Sequence, residues 1–460
     1  MAEQSAEVVI CGAGIAGVAT AYELASVRGV GKVLLVEQGD PLALTSDKST
    51  EAYRNWWPGP DDVMVRLINR SIDRLEQLAA ESDNAIALNR RGYLYATADA
   101  GRLASFRAEA EQIAELGAGP LRVHSPDTSA EPYRPAPAHG FADQPAGADL
   151  IFDQRLIRAH FPYLSEATLA VLHVRRAGWF SARQLGMLLL ERARASGVQL
   201  VRGQLIGVER EGGRVVAVQV ATAGGIERIA TSRFVSAAGP LQGAVGQMLG
   251  VELPLYNELH LKVAFDDRLG VVPRHAPMLI CADPVSLDWE AAERVELLGD
   301  PALRWLLNPL PSGVHGRPEG GADAATMLLL WDYHTPISEP HFPIAIDPQL
   351  SELVLRGMAR MIPGLAAYAA SLPRAYIDGG YYTRTRENRP LIGPLPVAGA
   401  FIIGGLSGFG VMAACAAAEL LAAQICGEPL PSYAPAFSLA RYSDLAYLRK
   451  LEQWGDVGQL

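Results

Sequence analysis

Cysteine is scarce in this chain: four residues, Cys11, Cys281, Cys415 and Cys426, with no CxxC pair and no histidine-rich cluster beside them. That argues against a disulfide frame or a zinc centre; no metal site is expected, and the thiols read as packed side chains in a reducing compartment. There is no basic excess. The net charge is −10, which disfavours nucleic acid or an anionic membrane surface as a general partner. The apolar runs read as short for a bilayer span. Val411 to Ile425 is the longest and includes Glu419, so a buried helix is expected there. The opening MAEQSAEVVICGAG has neither a basic n-region nor a cleavable apolar core, so no secretory leader is expected and the chain is assigned to the cytoplasm. No repeat of fixed period, nucleophilic triad or Walker loop is visible.

Apolar side chains are plentiful, at 49% of 460 residues against 20% charged, enough to bury more than one core. Val8 to Cys11 reads as a buried strand, Gly12 to Gly17 as a turn, Ile15 to Val27 as a helix and Val33 to Val36 as the next strand, a βαβ unit. Helical patterns follow over 61–80 and 100–116, with a strand at 92–96 between them. Residues 118–150, rich in Pro, Ala, Gly and Asp, read as an irregular insertion. Ala182 to Ser196 is an amphipathic helix, and 199–220 alternates around Gly212-Gly213 as a hairpin. Buried strands are expected at 234–237 and 401–404, further strands at 261–265 and 326–331, and a loop-rich stretch over 283–324. The fold class is therefore α/β. A Rossmann-like nucleotide domain of the glutathione-reductase type (1–90, 170–250, 376–440) interleaves with an α+β substrate domain on a mostly antiparallel sheet (91–169, 251–375), and 441–460 forms a tail.

Gly12, Gly14 and Gly17, with Ile15 and Ala16 between them, form GxGxxG after a strand and before a helix. The first glycine permits the turn, the second lets the backbone approach a pyrophosphate, and the third lets helix and strand pack closely. The helix N-terminus offers N–H groups to the phosphates. Glu37, beside Gln38, ends the second strand, 20 residues after Gly17, where a carboxylate accepts ribose hydroxyls and repels a 2′-phosphate. This pattern serves FAD and NAD alike.

Other segments favour FAD. Thr45, Ser46, Lys48, Ser49 and Thr50 form a hydroxyl-rich loop after the acid. Leu205 and Ile206 follow a helix, and a strand ends at Ala238-Gly239. Tyr382-Thr383-Arg384 and Arg389-Pro390-Leu391-Ile392-Gly393 precede Gly404 to Met412, a glycine turn that holds Gly405, Gly408, Phe409, Gly410 and Val411. In this order the segments resemble the D-amino-acid oxidase superfamily of FAD enzymes, in its glycine oxidase, sarcosine oxidase and proline dehydrogenase branch. The resemblance implies that the hydroxyl-rich loop lies over pyrophosphate and flavin, that Leu205 and Ile206 meet adenine through backbone, and that the last helix aims its N-terminus at the flavin, where reduction places negative charge. Its closing motif usually carries His where Phe409 stands.

Departures bear on chemistry. The covalent-attachment cysteine of the sarcosine oxidases falls at Gly380, which implies non-covalent FAD. Their carboxylate-binding arginine and lysine fall at Glu51 and Met412. A Glu51 that faced the substrate would disfavour a carboxylate unless Lys48, Arg54, Arg384 or Arg386 held it. Tyr333-His334 match a Tyr-His pair whose imidazole borders the substrate amine, and the oxygen-activating lysine falls at Leu330, so oxidase and dehydrogenase both stay open. Tyr53, Trp56, Trp57, Tyr381 and Tyr382 supply rings for an aromatic box. The resemblance thus implies oxidation of a C–N bond in a small amine or amino acid, by hydride transfer to flavin N5 with an imine as product. His334, Glu51 and Tyr382 are the expected catalytic residues, and O2, a quinone or a protein is the expected electron acceptor. An FAD-containing assembly factor of little turnover and an NAD-dependent dehydrogenase are the alternatives.

Overall fold

The computed structural model describes residues 4–127, 131–321, 323–369 and 371–454. Short apolar runs with no internal alternation, such as VVIC, VLLVE and AFIIG, suit strands covered on both faces. They lie in a six-stranded sheet in the order Gln199–Arg202, Val33–Glu37, Val8–Cys11, Phe234–Ser236, Ala400–Gly404 and Leu391–Pro394. All neighbours are parallel except the last pair.

One face of this sheet carries the helices Ile15–Tyr22, Val63–Glu81, Ala182–Ala195 and Gly410–Cys426. The last is alanine-rich and buried on nearly every side, because small side chains let its neighbours approach closely. Ser407–Cys426 is long and apolar enough to cross a membrane, yet 78% of it is buried within the fold. The other face packs against a three-stranded meander, Gln204–Glu211, Arg214–Thr222 and Gly225–Ala230, and the helix Gln242–Leu249. The chain was expected to fold back on itself from 199. Instead Gln199–Arg202 joins the parallel sheet, beside Val33–Glu37, and the hairpin begins at Gln204. Alternation alone does not separate the two.

The second sheet has nine strands: Tyr376–Arg384, Tyr256–Asp266, Thr326–Leu330, His315–Pro318, Met278–Cys281, Tyr93–Thr97, Ala170–Val174, Ala148–Ile151 and Leu121–His124. Its pairings are antiparallel except Met278–Cys281 with Tyr93–Thr97 and Leu121–His124 with Ala148–Ile151. Ala170–Val174 and Tyr376–Arg384 belong here, so these two segments depart from the nucleotide-domain ranges expected for them. The supposedly irregular 118–150 supplies the last two strands at one end of the sheet, tied by Asp149 to Arg122, His124 and Arg175. Arg122 and Arg175, with the hydrogen bond from His124, hold the Asp149 carboxyl well below the usual range despite its burial. The loop-rich 283–324 contains the helix Ala291–Gly299 as well as His315–Pro318.

The tail is anchored rather than draped. Arg441 and the hydroxyls of Tyr442 and Tyr447 donate to Glu387, a carboxylate in the turn before Leu391–Pro394. A two-stranded pairing, Ala52–Arg54 with Ala177–Trp179, bridges the two domains and sets the position of Arg54.

Candidate active site

The GxGxxG turn is fixed by sterics. Gly12 has φ of +103°, and a Cβ there would lie 2.4 Å from the Ala237 carbonyl oxygen. A Cβ on Gly17 would lie 1.8 Å from the Gly12 carbonyl oxygen. Gly14 has no side chain to cap the Ile15–Tyr22 helix, so backbone at the helix start reaches the cleft. Ser46 Oγ accepts the Ile15 N–H at 2.9 Å, which draws the hydroxyl-rich loop onto the turn. Glu37 takes the Ala13 N–H at 2.8 Å and the Gly39 N–H at 2.9 Å, and so holds its carboxylate at the strand end.

A cleft runs from this turn to the last helix. Gly14, Ile15 and Ala16 line one end, Thr45, Ser46, Ser49 and Gly239 the middle, and Tyr381 to Thr383 with Gly404 to Val411 the other. Ser407 and Gly405 have φ of +48° and +63°, and this tight reversal brings backbone to the cleft wall ahead of Gly410–Cys426. Two helix N-termini therefore face one elongated cleft, and the donor set fits an anionic dinucleotide at one end and an electron-accepting ring at the other.

Several expected cofactor residues stand outside the lining. Gly12 and Gly17 shape the turn from behind. Gln38 is exposed. Lys48 pairs with Asp378 at 2.9 Å and Asp47 at 3.1 Å. Leu205 is a core residue, and Ile206 is 37% exposed at a bulge in Gln204–Glu211, so neither side chain lines the cleft. Ala238 opens the short turn before Pro240.

Next to the ring end lies a smaller cavity of about 40 Å³. Thr50, Phe409, Met412 and Tyr382, all nominated from sequence, line it, together with Arg54, Tyr93, His315, Leu330 and Asp332. Arg54 is 4% exposed, with its guanidinium 5.4 Å from the Trp57 ring centroid and 5.6 Å from that of Tyr93. Asp332 keeps 30% of its side chain exposed, and its Oδ1 lies 2.7 Å from His260 Nδ1.

Two of the three expected catalytic residues are elsewhere. His334 is exposed, its ring 6.2 Å from Trp305, and lines neither cleft nor cavity. The imidazole beside Tyr382 is His260 instead, stacked on it at 4.0 Å. Glu51 faces away from the cavity. It accepts the Ala182 N–H at 2.8 Å, at the start of Ala182–Ala195, and sits 3.4 Å from the fully buried Arg317. It acts there as a helix-capping carboxylate. Burial pushes its pKa up, and Arg317 opposes that shift. Of the candidate cations, Arg384 pairs with Glu258 at 3.3 Å, Arg386 is exposed, and Arg54 reaches the cavity.

His260 was not anticipated. A signal existed: Glu258, His260 and Lys262 fall at two-residue spacing, hence on one face of the strand Tyr256–Asp266, paired with the Tyr382 strand. Burial disfavours a charged His260, but Asp332 and Glu258 outweigh it and raise its pKa to about 9. A folded pKa above the ordinary value means that protonation of His260 stabilises the fold fully below about pH 6.5 and that this contribution is lost as pH rises through about 9. His260→Gln is expected to destabilise the protein by on the order of 3 kcal/mol at pH 6. In denaturant titrations the gap from the parent protein should shrink towards pH 9.5. A gap constant with pH would show that His260 is not charged.

The FAD dependent oxidoreductase family model, DAO, matches residues 7–424. Among solved structures, L-proline dehydrogenase from P. horikoshii superposes with a TM-score of 0.72 at 19% identity, covering 96% of this chain and 98% of that one. Glycine oxidase from Geobacillus kaustophilus gives 0.70 at 16%, covering 95% and 98%. Iminodiacetate oxidase from Chelativorans sp. BNC1 gives 0.67 at 18%, covering 94% and 98%.

Proposed function

The chain belongs to the DAO family of FAD dependent oxidoreductases, and on that premise we propose that it oxidises a carbon–nitrogen bond of a small amine or amino acid. The observation that carries this reading is one cavity, beside the ring end of the cleft, that holds a cation, Arg54, and an anion, Asp332. A zwitterion matches that pair, carboxylate to Arg54 and amine nitrogen to Asp332. The names of the similar structures, a proline dehydrogenase and two amine-bearing-acid oxidases, agree with it.

Bound FAD supplies the two-electron acceptor. Ser46, Ser49 and the two helix N-termini would hold it, and Glu37 would take its ribose. Gly380 offers no nucleophile, and burial pushes the Cys11 thiol up to about 12, which supports a non-covalent cofactor. Within the cavity, Asp332 accepts a hydrogen bond from the amine and orients the reacting carbon. Its charge is already balanced by His260, so it raises the pKa of a bound amine less than a lone carboxylate would, and the nitrogen gives up its proton more readily. Leu330, Phe409 and Met412 exclude water from the reacting carbon. Tyr382 forms the shared wall of cleft and cavity, and His260 behind it fixes its ring. The acceptor that regenerates the cofactor is O2, a quinone or a protein. The four free thiols support a cytoplasmic location.

An anaerobic screen of amines and amino acids against the FAD-loaded protein tests this. At least one of them should bleach the flavin absorbance. Stable partner binding with no bleaching by any amine would favour an assembly factor instead.

A further inference from the structure

A second cavity adjoins the first and has no part in the chemistry above. Arg54 lines both. Their floors follow the same two strands on the same face. Tyr93 and Met278 lie under the first cavity, and Tyr95 and Ile280, each two residues further along, lie under the second. The register pairs Tyr93 with Met278 and Tyr95 with Ile280, so the two floors advance together by one strand repeat. The Tyr93 and Tyr95 ring centroids are 6.4 Å apart, about the reach of an amino-acid side chain from its α-carbon.

The roof is the helix Leu103–Ile113. Phe106, Ala110 and Ile113 fall at i, i+4 and i+7 and turn one apolar stripe towards the cavity. Trp56 and Leu172 close the sides, while Arg102, Glu109 and the exposed Ser312 stand at the mouth. The volumes decide what each cavity admits. The first holds about 40 Å³, room for a carboxylate and an amine. The second holds about 160 Å³. A dry apolar cavity of about 150 Å³ accepts a benzene ring.

We propose that this second cavity is the side-chain subsite, and that it takes an aromatic or bulky branched aliphatic group attached to the zwitterionic head held at Arg54 and Asp332. The proposal rests on the functional reading above and deepens it. Glycine or sarcosine would leave the subsite unfilled and forgo its apolar contacts. A phenyl or isobutyl group would lie against Tyr95, Phe106 and Trp56 and bury on the order of 100 Å² of apolar surface.

The test reads binding, which needs no turnover. The FAD-loaded protein is titrated with acetate and with phenylacetate, carboxylic acids that carry no amine to oxidise, by calorimetry and by perturbation of the flavin spectrum. Phenylacetate should bind at least about 30-fold tighter. Two variants then fill the cavity, Ala110→Phe from the roof and Ser312→Trp from the exposed rim. The second leaves the core untouched should the first fail to fold. Each should lower the phenylacetate-to-acetate ratio at least tenfold. Equal binding of the two acids, or a ratio unchanged in Ser312→Trp, overturns the subsite. Failure of every amine to bleach the flavin, with the ratio intact, would instead overturn the oxidation reading and leave the subsite standing.

Discussion

Gly17→Ala is expected to purify without bound FAD. Its Cβ would sit 1.8 Å from the Gly12 carbonyl oxygen and 3.3 Å from the Ala237 Cβ, and neither is the free end of a flexible chain. The helix Ile15–Tyr22 must then move off the strand Val8–Cys11, and the N–H groups of Ile15 and Ala16 move with it. Displacing the phosphate-facing end of the cleft should weaken FAD by at least about 100-fold, or about 2.7 kcal/mol. Gly243→Ala, in the helix Gln242–Leu249, is the control, since a Cβ there meets nothing within 4 Å. The 450 nm to 280 nm absorbance ratio after reconstitution measures the effect. Full flavin occupancy in Gly17→Ala would show that the cleft does not depend on this turn.

The second large effect concerns charge in the small cavity. Arg54→Gln should cut kcat/KM for an amino acid by about 10² to 10⁴-fold, the range for removal of one member of a desolvated charge pair. The loss should appear mainly as a raised KM. Amines without a carboxylate should change several-fold at most, because they do not use Arg54. Asp332→Asn should lower kcat/KM for both classes, since both present a nitrogen. An equal loss for both classes in Arg54→Gln would reduce Arg54 to a packing role beneath Trp57 and Tyr93.

The cofactor half was readable because its requirements are local. A turn that must be glycine, a helix that must follow it and an acid at a strand end lie within one short stretch, and each has its own physical necessity. The cavity was less so, because its parts come together only in the folded sheet. Arg54 was in view, as one of four cations without a means to choose among them. What selects it is the pairing of Ala52–Arg54 with Ala177–Trp179, over a hundred residues on. Glu51, three residues earlier and equally polar, turns with φ of +58° towards a helix N-terminus. The Tyr333-His334 match points to His334, whereas the histidine stacked on Tyr382 is signalled only by the alternation of Glu258, His260 and Lys262. The two outermost strands at that end of the sheet, Ala148–Ile151 and Leu121–His124, are hidden for another reason. They are four residues each, and Asp149, paired with Arg122 and Arg175, reads in sequence as a loop residue.

The interleaving of the chain bears on how the protein is made. Val8–Cys11 forms early, yet one of its lateral neighbours is Phe234–Ser236, and that strand in turn waits for Ala400–Gly404. At about 5 to 20 residues per second, synthesis leaves the dinucleotide unit without its full sheet for roughly 20 to 80 s. Over that interval several two-sided apolar strands have no lasting cover, so the nascent chain, more than the finished enzyme, depends on chaperones. Slower translation should therefore raise its aggregation, whereas flavin supply matters only after the last glycine turn has emerged.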